Sequence, residues 1–185
     1  DGIRDYKVTG VQTCALPIFS PDGKRLVMAA AEGGNENTQL YTSDGRGNVN
    51  HLVGAPKVVT TLSLWLTDSS GFLYTANDTS PSDFHISLWD FAAAKQTKLL
   101  ALAGQWTPEA LSRDTTRIMV EEYHSASDSR IYEVDISDRN ADPAKRALKD
   151  ITVAASGATA ANHVAGYFPG DKAVLLTRDR KSTRL

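Results

Sequence analysis

The sequence is almost free of cysteine, with Cys14 the single one among 185 residues. Cys14 lies near the N-terminus, and residues 19–178 contain no cysteine. This absence excludes disulfides, cysteine-rich zinc sites and a cysteine nucleophile from residues 19–178. It is compatible with an oxidising compartment, but it leaves the location undetermined between periplasm and cytoplasm.

Long apolar runs and runs of like charge are also missing. No stretch approaches the roughly 18 consecutive apolar residues of a membrane span, and no five like charges stand together. Residues 19–178 carry 15 Lys and Arg against 19 Asp and Glu, a net charge of −4. This balance argues against a nucleic-acid partner, which normally requires a basic patch.

Both ends of the chain resemble the translated DNA of a sequencing adapter. DGIRD at the N-terminus is followed by two variable residues and then by VTGVQTCALPI, whose apolar run is too interrupted for a signal peptide. DRKSTRL at the C-terminus resembles the opposite strand of the same adapter. We therefore expect residues 1–18 and 179–185 to be non-native and residues 19–178 to form the protein's own domain.

A repeat centred on aspartate runs through residues 19–178. FSPDGKRLVMA, WLTDSSGFLYT and LSRDTTRIMVE align without gaps at intervals of 46 residues, and FPGDKAVLLT follows after 57. A second aspartate follows each of the first three by 22, 22 and 21 residues. Two sets of aspartates that recur with the same period indicate a repeat architecture. The first set is Asp22, Asp68, Asp114 and Asp171, and the second set is Asp44, Asp90 and Asp135.

Each repeat is predicted to contain four strands. In the Ser-Pro-Asp-Gly turn of the first copy, Asp22 bonds its own backbone and Gly23 takes a positive φ. The runs that follow the turns (RLVMA, GFLYTA and RIMVEE) are almost continuously apolar, which indicates sheets covered on both faces. Four short strands in about 40 to 50 residues are typical of a propeller blade. We therefore predict an all-β fold, a partial β-propeller of about three to four four-stranded blades.

The interval between Asp135 and Asp171 contains residues that the other intervals lack. DPAKRALKD, residues 142–150, could form a helix with Asp142 as its cap and Pro143 in its first turn. The repeat register instead favours a strand at RALKDI. At the level of sequence both interpretations stay open.

The copies FSPDGKRLV, WLTDSSGFLY, LSRDTTRIMV and FPGDKAVLLT resemble the blades of TolB-type propellers, although three of them replace Ser-Pro-Asp-Gly. Residues 104–136, GQWTPEALSRDTTRIMVEEYHSASDSRIYEVDI, are similar to a middle blade in the N-terminal propeller of bacterial prolyl-oligopeptidase-family serine peptidases. This resemblance implies a non-catalytic propeller that caps an α/β-hydrolase domain and limits access to short or unfolded peptides. The implied partners are that C-terminal domain of the same protein and peptide substrates.

Residues that carry chemistry are scarce. The chain contains no Gly-x-Ser-x-Gly nucleophile elbow, so the resemblance transfers no triad residue to it. The four histidines stand alone in different repeats, without metal-ligand spacing. We therefore expect no catalytic, cofactor-binding or metal-binding residue, and we interpret the repeated Asp residues and Gly23 as structural turn residues. The histidines are His51, His85, His124 and His163.

One acidic pair and three loops have a second interpretation. The pair Glu121–Glu122 resembles the glutamates that hold a substrate's amino terminus in the dipeptidyl-peptidase branch. Here the pair continues the strand RIMV, where neighbours point to opposite faces, so carboxylates facing solvent are the simpler interpretation. The oxygen-rich loops GGNEN, NDTSPSD and HSASDS lack the ordered spacing of a calcium loop.

The leading hypothesis is thus the propeller portion of a prolyl-oligopeptidase-like serine peptidase. The alternatives are a TolB-like periplasmic binding propeller with no enzyme attached and an intracellular scaffold propeller. We also expect residues 19–178 alone to be marginally stable or to aggregate, because an open run of blades leaves apolar faces uncovered at both ends.

Overall fold

The computed structural model describes residues 11–12, 17–32, 35–43, 46, 48–152 and 160–179. These residues form strands, turns and loops, with no helix among them. The strands are β1 (Val11–Gln12), β2 (Ile18–Phe19), β3 (Leu26–Glu32), β4 (Thr38–Ser43), β5 (Val49–Val53), β6 (Thr60–Trp65), β7 (Gly71–Ser80), β8 (Asp83–Asp90), β9 (Lys95–Leu100), β10 (Gln105–Leu111), β11 (Arg117–Ser125), β12 (Asp128–Asp135), β13 (Leu148–Asp150), β14 (Ala161–Tyr167) and β15 (Val174–Asp179).

Apart from β1, which pairs with β3, the strands fall into four antiparallel units, here called blades 1 to 4. Blade 1 consists of β2 to β5, blade 2 of β6 to β9, blade 3 of β10 to β13, and blade 4 of β14 and β15. Within each blade every strand pairs with the next one in sequence. The predicted all-β class is confirmed, and blades 1 to 3 each contain four strands.

The apolar run of blade 2 is continuous because both faces of its sheet are buried. On β7, Phe72 and Leu73 point to opposite faces of the sheet, and both are fully buried. Phe72 packs in one cluster with Val27 and Leu40 of blade 1, whereas Leu73 packs in another with Ile118 of blade 3. Full burial of each such side chain stabilises the fold by about 2 kcal/mol. Blade 2 is thus held on both faces by its neighbours.

Blades 2 and 3 also share a backbone link. Gln105 on β10 pairs in parallel with Phe84 on β8, and the Phe84 amide donates to the Gly104 carbonyl at 2.8 Å. The Gly104 amide in turn donates to the Asp83 carboxylate at 2.8 Å. The two blades therefore form one eight-stranded sheet.

The helical alternative for residues 142–150 is wrong. Asp142 caps a single turn, in which the Ala144 amide donates to its carboxylate (3.0 Å) and the Lys145 amide to its carbonyl (3.1 Å). Strand β13 then pairs with β12 from Leu148 onward. A helix of this length is marginal on its own, whereas the open edge of β12 offers a ready hydrogen-bonding partner.

The boundaries expected at residues 18/19 and 178/179 stay predictions. Val11 and Gln12 pair with Glu32 and Ala31 of β3, and β15 extends to Asp179. Cys14 lies outside the described residues.

Candidate functional site

The first repeated turn is held by its own side chains. The Ser20 amide donates to the Arg25 carbonyl (2.9 Å), and the Gly23 amide donates to the Ser20 carbonyl (2.8 Å). The Asp22 carboxylate accepts hydrogen bonds from the Ser20 hydroxyl (2.6 Å) and the Lys24 amide (3.1 Å). Gly23 has a φ of 70°, so a residue without a side chain suits this position.

The third copy repeats this geometry with other residues. The Asp114 carboxylate accepts from the hydroxyls of Ser112 (2.6 Å) and Thr116 (2.8 Å) and from the Thr116 amide (3.1 Å). These hydrogen bonds lower the pKa of Asp114 to about 2. Thr115 stands in the left-handed region with a φ of 58°, where Gly23 stands in the first copy.

In the second copy, Asp68 accepts from the Ser70 amide (3.0 Å) and hydroxyl (2.7 Å). Ser69 takes the left-handed position with a φ of 62°. The hydrogen bonds from Ser70 hold the pKa of Asp68 below its ordinary value.

The fourth copy is offset by one residue from the ungapped alignment. Asp171 has a φ of 55°, and its amide donates to the Phe168 carbonyl. Asp171 therefore corresponds to Gly23, Ser69 and Thr115, and Gly170 takes the place of the capping aspartate. The β-bulges of the first strands support this offset. The strand register skips Ser63, Glu109 and Ala165, at intervals of 46 and 56 residues, so the last interval is one residue shorter than the 57 between Asp114 and Asp171.

The second set of aspartates caps the turns between third and fourth strands. Asp90 accepts from the amides of Ala92 (2.8 Å) and Ala93 (2.9 Å). Asp135 accepts from the Ser137 amide (2.8 Å) and hydroxyl (2.6 Å), which keep its pKa low. Asp44 lies outside the described residues.

Two arginines form hydrogen bonds between successive blades where these turns meet. Arg25 of blade 1 donates to the Ser69 carbonyl of blade 2 at 3.1 Å. Arg117 of blade 3 donates in the same way to the Asp171 carbonyl of blade 4 at 3.2 Å. In both cases the acceptor is the left-handed residue of the following turn. We call each contact region between two such turns a seam.

The seam between blades 2 and 3 is built differently. Gly71 stands where Arg25 and Arg117 stand in their blades, and a Cβ there would lie 2.2 Å from the Trp89 carbonyl oxygen. Arg139, from the long connection between β12 and β13, donates to the Thr115 carbonyl of its own blade at 3.4 Å. Its guanidinium lies in the field of Asp90 and Asp68, while partial burial lowers its pKa.

Each arginine is also held by side-chain contacts or charge. The Arg25 guanidinium carbon lies 4.7 Å from the centre of the Phe91 ring, a favourable cation–π distance. Arg117 pairs with Glu133 at 2.9 Å and lies 5.6 Å from the Tyr167 ring centre. Burial, with the Glu133 carboxylate nearby, raises the pKa of Tyr167.

Two open clefts lie along the seams. The cleft between blades 2 and 3 has a volume of about 290 Å³ and is lined by both signs of charge, from Asp68, Asp90, Lys95 and Arg139. The cleft between blades 3 and 4 is also about 290 Å³ and includes Arg117. The mixed charge offers no single ligand class a matched site.

Solved structures of two kinds are similar to this chain in fold. TolB from Acinetobacter baumannii is 20% identical and matches 80% of this chain and 34% of its own, with a TM-score of 0.56. A structure from an analysis of two prolyl endopeptidases is 19% identical and matches 86% of this chain and 24% of its own, with a TM-score of 0.62. Prolyl oligopeptidase B from Galerina marginata is 12% identical and matches 91% of this chain and 25% of its own, with a TM-score of 0.61.

The fold is that of a partial β-propeller. The chain spans about a third of the length of that TolB and about a quarter of the prolyl peptidases. No protein-family model matches the chain, and no curated protein matches it significantly.

In this propeller the first strands of neighbouring blades contact one another, β6 with β10 and β10 with β14. We call the surface formed by these first strands the inner wall. Glu109 on β10 faces Glu121 on β11 and His163 on β14, and burial together with the Glu121 charge raises the pKa of Glu109. Glu121 is 8% exposed and pairs with His163 at 3.3 Å. The interpretation of Glu121 as a solvent-facing carboxylate is wrong, because blade 4 covers it.

The remaining histidines of the propeller lie far apart on separate strands. His51 packs edge-on against Tyr41 at 5.3 Å. His85 is 6% exposed and lies 3.4 Å from the Asp78 carboxylate, which Lys98 also holds at 2.8 Å. Among the described residues no cluster of three or more His, Cys, Asp or Glu could hold a metal ion. No helix in that part of the chain is long and apolar enough to cross a membrane.

Sequence reasoning found the turn aspartates and missed the bridging arginines. Arg25 and Arg117 occupy the same position of their repeats, 92 residues apart, twice the period of 46. This shared position is the sequence signal that could have identified the two arginines. Arg139 left no such signal, because it lies in the connection that the other repeats lack.

Proposed function

We propose that this chain is part of the non-catalytic propeller of a prolyl-oligopeptidase-like serine peptidase. In this role the blades cover the active site of an α/β-hydrolase domain in the same protein. Access along the inner wall is then limited to short or unfolded peptides. The observation that carries the proposal is the extent of structural likeness, 86% and 91% of the chain at TM-scores of 0.62 and 0.61, against 80% at 0.56 for TolB.

The sequence and the seams are compatible with a covering role for this part of the protein. No nucleophile elbow occurs in the sequence, and the polar side chains at the seams are engaged in turn caps and bridges between blades. A cover of this kind has to keep its blades in register. The bridging arginines and the double-sided core of blade 2 supply that rigidity.

The complete reading frame tests the proposal. Its sequence beyond residue 178 should encode a Gly-x-Ser-x-Gly elbow, followed in order by an Asp and a His. The complete protein should cleave a short proline-containing peptide, and the purified chain 19–178 should not. A complete frame that ends without the elbow would favour a binding propeller instead.

The covering role has its own test in the complete protein. A proline-containing octapeptide and a folded protein that displays the same eight residues would be compared as substrates. We expect cleavage of the octapeptide only. A version from which the propeller has been deleted should lose this discrimination, and equal cleavage of both substrates by the intact protein would contradict the covering role.

A TolB-like binding propeller is the second candidate. Two TolB structures match 80% and 74% of this chain, with TM-scores of 0.56 and 0.54. In that case the complete protein would carry no hydrolase domain and would act through protein partners. The same reading frame separates the two candidates.

A further inference from the structure

His124 differs from the other histidines because both of its ring nitrogens face carboxylates. Its Nε2 lies 3.1 Å from the Glu122 carboxylate and its Nδ1 lies 3.4 Å from the Asp128 carboxylate. Glu122 lies on β11 and Asp128 begins β12, so the imidazole joins the two arms of one hairpin. All three side chains are about one quarter to one third exposed.

The chemistry of imidazole makes this arrangement dependent on protonation. A neutral imidazole has one N–H donor and one lone pair, whereas imidazolium has two donors. Two carboxylates can both accept hydrogen bonds from the ring only when it is protonated. In the neutral ring one nitrogen lone pair faces a carboxylate, and that contact becomes repulsive.

We propose that the β11–β12 hairpin is a proton-responsive clasp. Protonated His124 bridges Glu122 and Asp128 and orders the hairpin tip, residues 123–129. Deprotonation of His124 releases Asp128 and loosens the tip. The ordinary titration range of histidine side chains, about pH 5 to 8, sets the two pH values of the test. This inference stands independently of the proposed function.

The groups around Glu122 include partners other than His124. Arg130 lies opposite Glu122 in the ladder of β11 and β12, and its pKa is raised by the Tyr132 hydroxyl and by Glu122. Tyr132 donates to the Glu122 carboxylate at 3.1 Å. From the other side, β10 presents Gln105 and Trp106 opposite Tyr123 and Glu122, and both are uncharged. Glu122 therefore keeps partners when His124 is neutral.

Among the described residues, the one ion pair of Asp128 is with His124. Beside it, Ser125 pairs with Asp128 across a shift in the strand register, and the Ser127 amide donates to the Ser125 hydroxyl at 3.3 Å. Residues 123–127 are exposed. The tip therefore depends on the His124–Asp128 contact more than the base of the hairpin does.

Hydrogen exchange of the full chain measures the clasp. Protection factors for residues 123–129, corrected for intrinsic exchange, would be compared at pH 5.5 and pH 8.0. We expect protection at pH 5.5 to be about three- to fivefold higher, since exposed ion pairs each contribute only modestly. The turn at Asp68, which contains no histidine, is the internal reference and should not change.

Variants identify the responsible group. His124→Gln should remove the pH dependence, and Asp128→Asn should reduce it while leaving Glu122 and His124 in place. His51→Gln, which alters a histidine packed on Tyr41, should behave as the wild type. Circular dichroism would establish that each variant is folded. Equal protection at both pH values in the wild type, or pH dependence that survives in His124→Gln, would overturn the proposal.

Discussion

At the scale of single residues, the turns are stabilised by ionised carboxylates that accept hydrogen bonds from hydroxyls and amides close in sequence. Asp114 is the strongest case, with a pKa of about 2 against 3.8 for an ordinary aspartate. Such turns need no contact with distant parts of the chain. This is why Ser-Pro-Asp-Gly and its variants are readable in the sequence.

The low pKa of Asp114 predicts acid sensitivity. A carboxylate whose pKa is lowered by folding contributes stability that is complete above the ordinary value, and this stability is lost as the pH falls through the folded-state value. Urea unfolding between pH 5 and pH 2.5 should therefore show a steeper loss in the wild type than in Asp114→Asn. Asp22→Asn should flatten the profile as well. Equal slopes in all three proteins would contradict this assignment.

Two substitutions at the left-handed turn position should change the melting temperature in opposite directions. A β-branched residue at positive φ costs about 1 to 2 kcal/mol, more than the entropic cost of a glycine, about 0.5 to 1 kcal/mol. Thr115→Gly should therefore raise the melting temperature. Gly23→Thr should lower it, and since nothing lies within 4 Å of a Cβ at Gly23 the cost is conformational. A Thr115→Gly protein that melts below the wild type would show that the hydroxyl matters more than the backbone.

At the scale of strands and seams, the blades are joined by side chains that reach from one repeat to the next. Arg25 and Arg117 belong to the repeat itself and donate to the next blade, whereas Arg139 comes from the extra connection in blade 3, donates within that blade and lies in the field of Asp68 and Asp90 of blade 2. The additional residues of blade 3 thus have a structural role at the seam with blade 2.

We therefore expect the substitution of Arg139 to lower the stability of the protein. Arg139→Met keeps an unbranched apolar side chain and removes the charge and its hydrogen bond, at a cost of about 1 kcal/mol. Arg113→Met, in an exposed side chain of the same blade, is the matched control and should have little effect. Chemical unfolding monitored by tryptophan fluorescence would compare the two. An Arg139→Met protein as stable as the control would mean that the backbone link and the apolar clusters join blades 2 and 3 without a contribution from Arg139.

The sequence predicted local structure better than contacts between blades. Four strands per repeat and the turn positions followed from residues that are neighbours in the chain. The burial of Glu121 and the hydrogen bond from Arg139 depend on partners 42 and 24 residues away, which a period cannot reveal. The helix considered at residues 142–150 failed for the same reason, because the edge of β12 decides that segment.

At the scale of the whole molecule, most exposed large apolar side chains lie on the first and last blades. Ile18, Phe19 and Val49 lie on blade 1, and Phe168 and Leu175 lie at blade 4. Exposed apolar surface of this kind marks sites of association. We therefore expect residues 19–178 to be marginally stable or to aggregate when expressed alone.

Substitution at one terminal blade tests this expectation. The double variant Phe168→Ser, Leu175→Ser should associate less than the wild type in size-exclusion chromatography with light scattering. Tyr123→Ser changes an exposed aromatic residue on a hairpin of blade 3 and is the control. A wild-type chain 19–178 that is monomeric and melts cooperatively would contradict the expectation.

The central claim, that these blades belong to the covering propeller of a serine peptidase, is tested most directly by labelling with a serine-reactive fluorophosphonate. Intact mass spectrometry would be applied to the complete protein and to residues 19–178. The account predicts that the complete protein gains the mass of one probe, on a serine beyond residue 178, and that residues 19–178 gain none. A complete protein that stays unlabelled, or a label within residues 19–178, would contradict it.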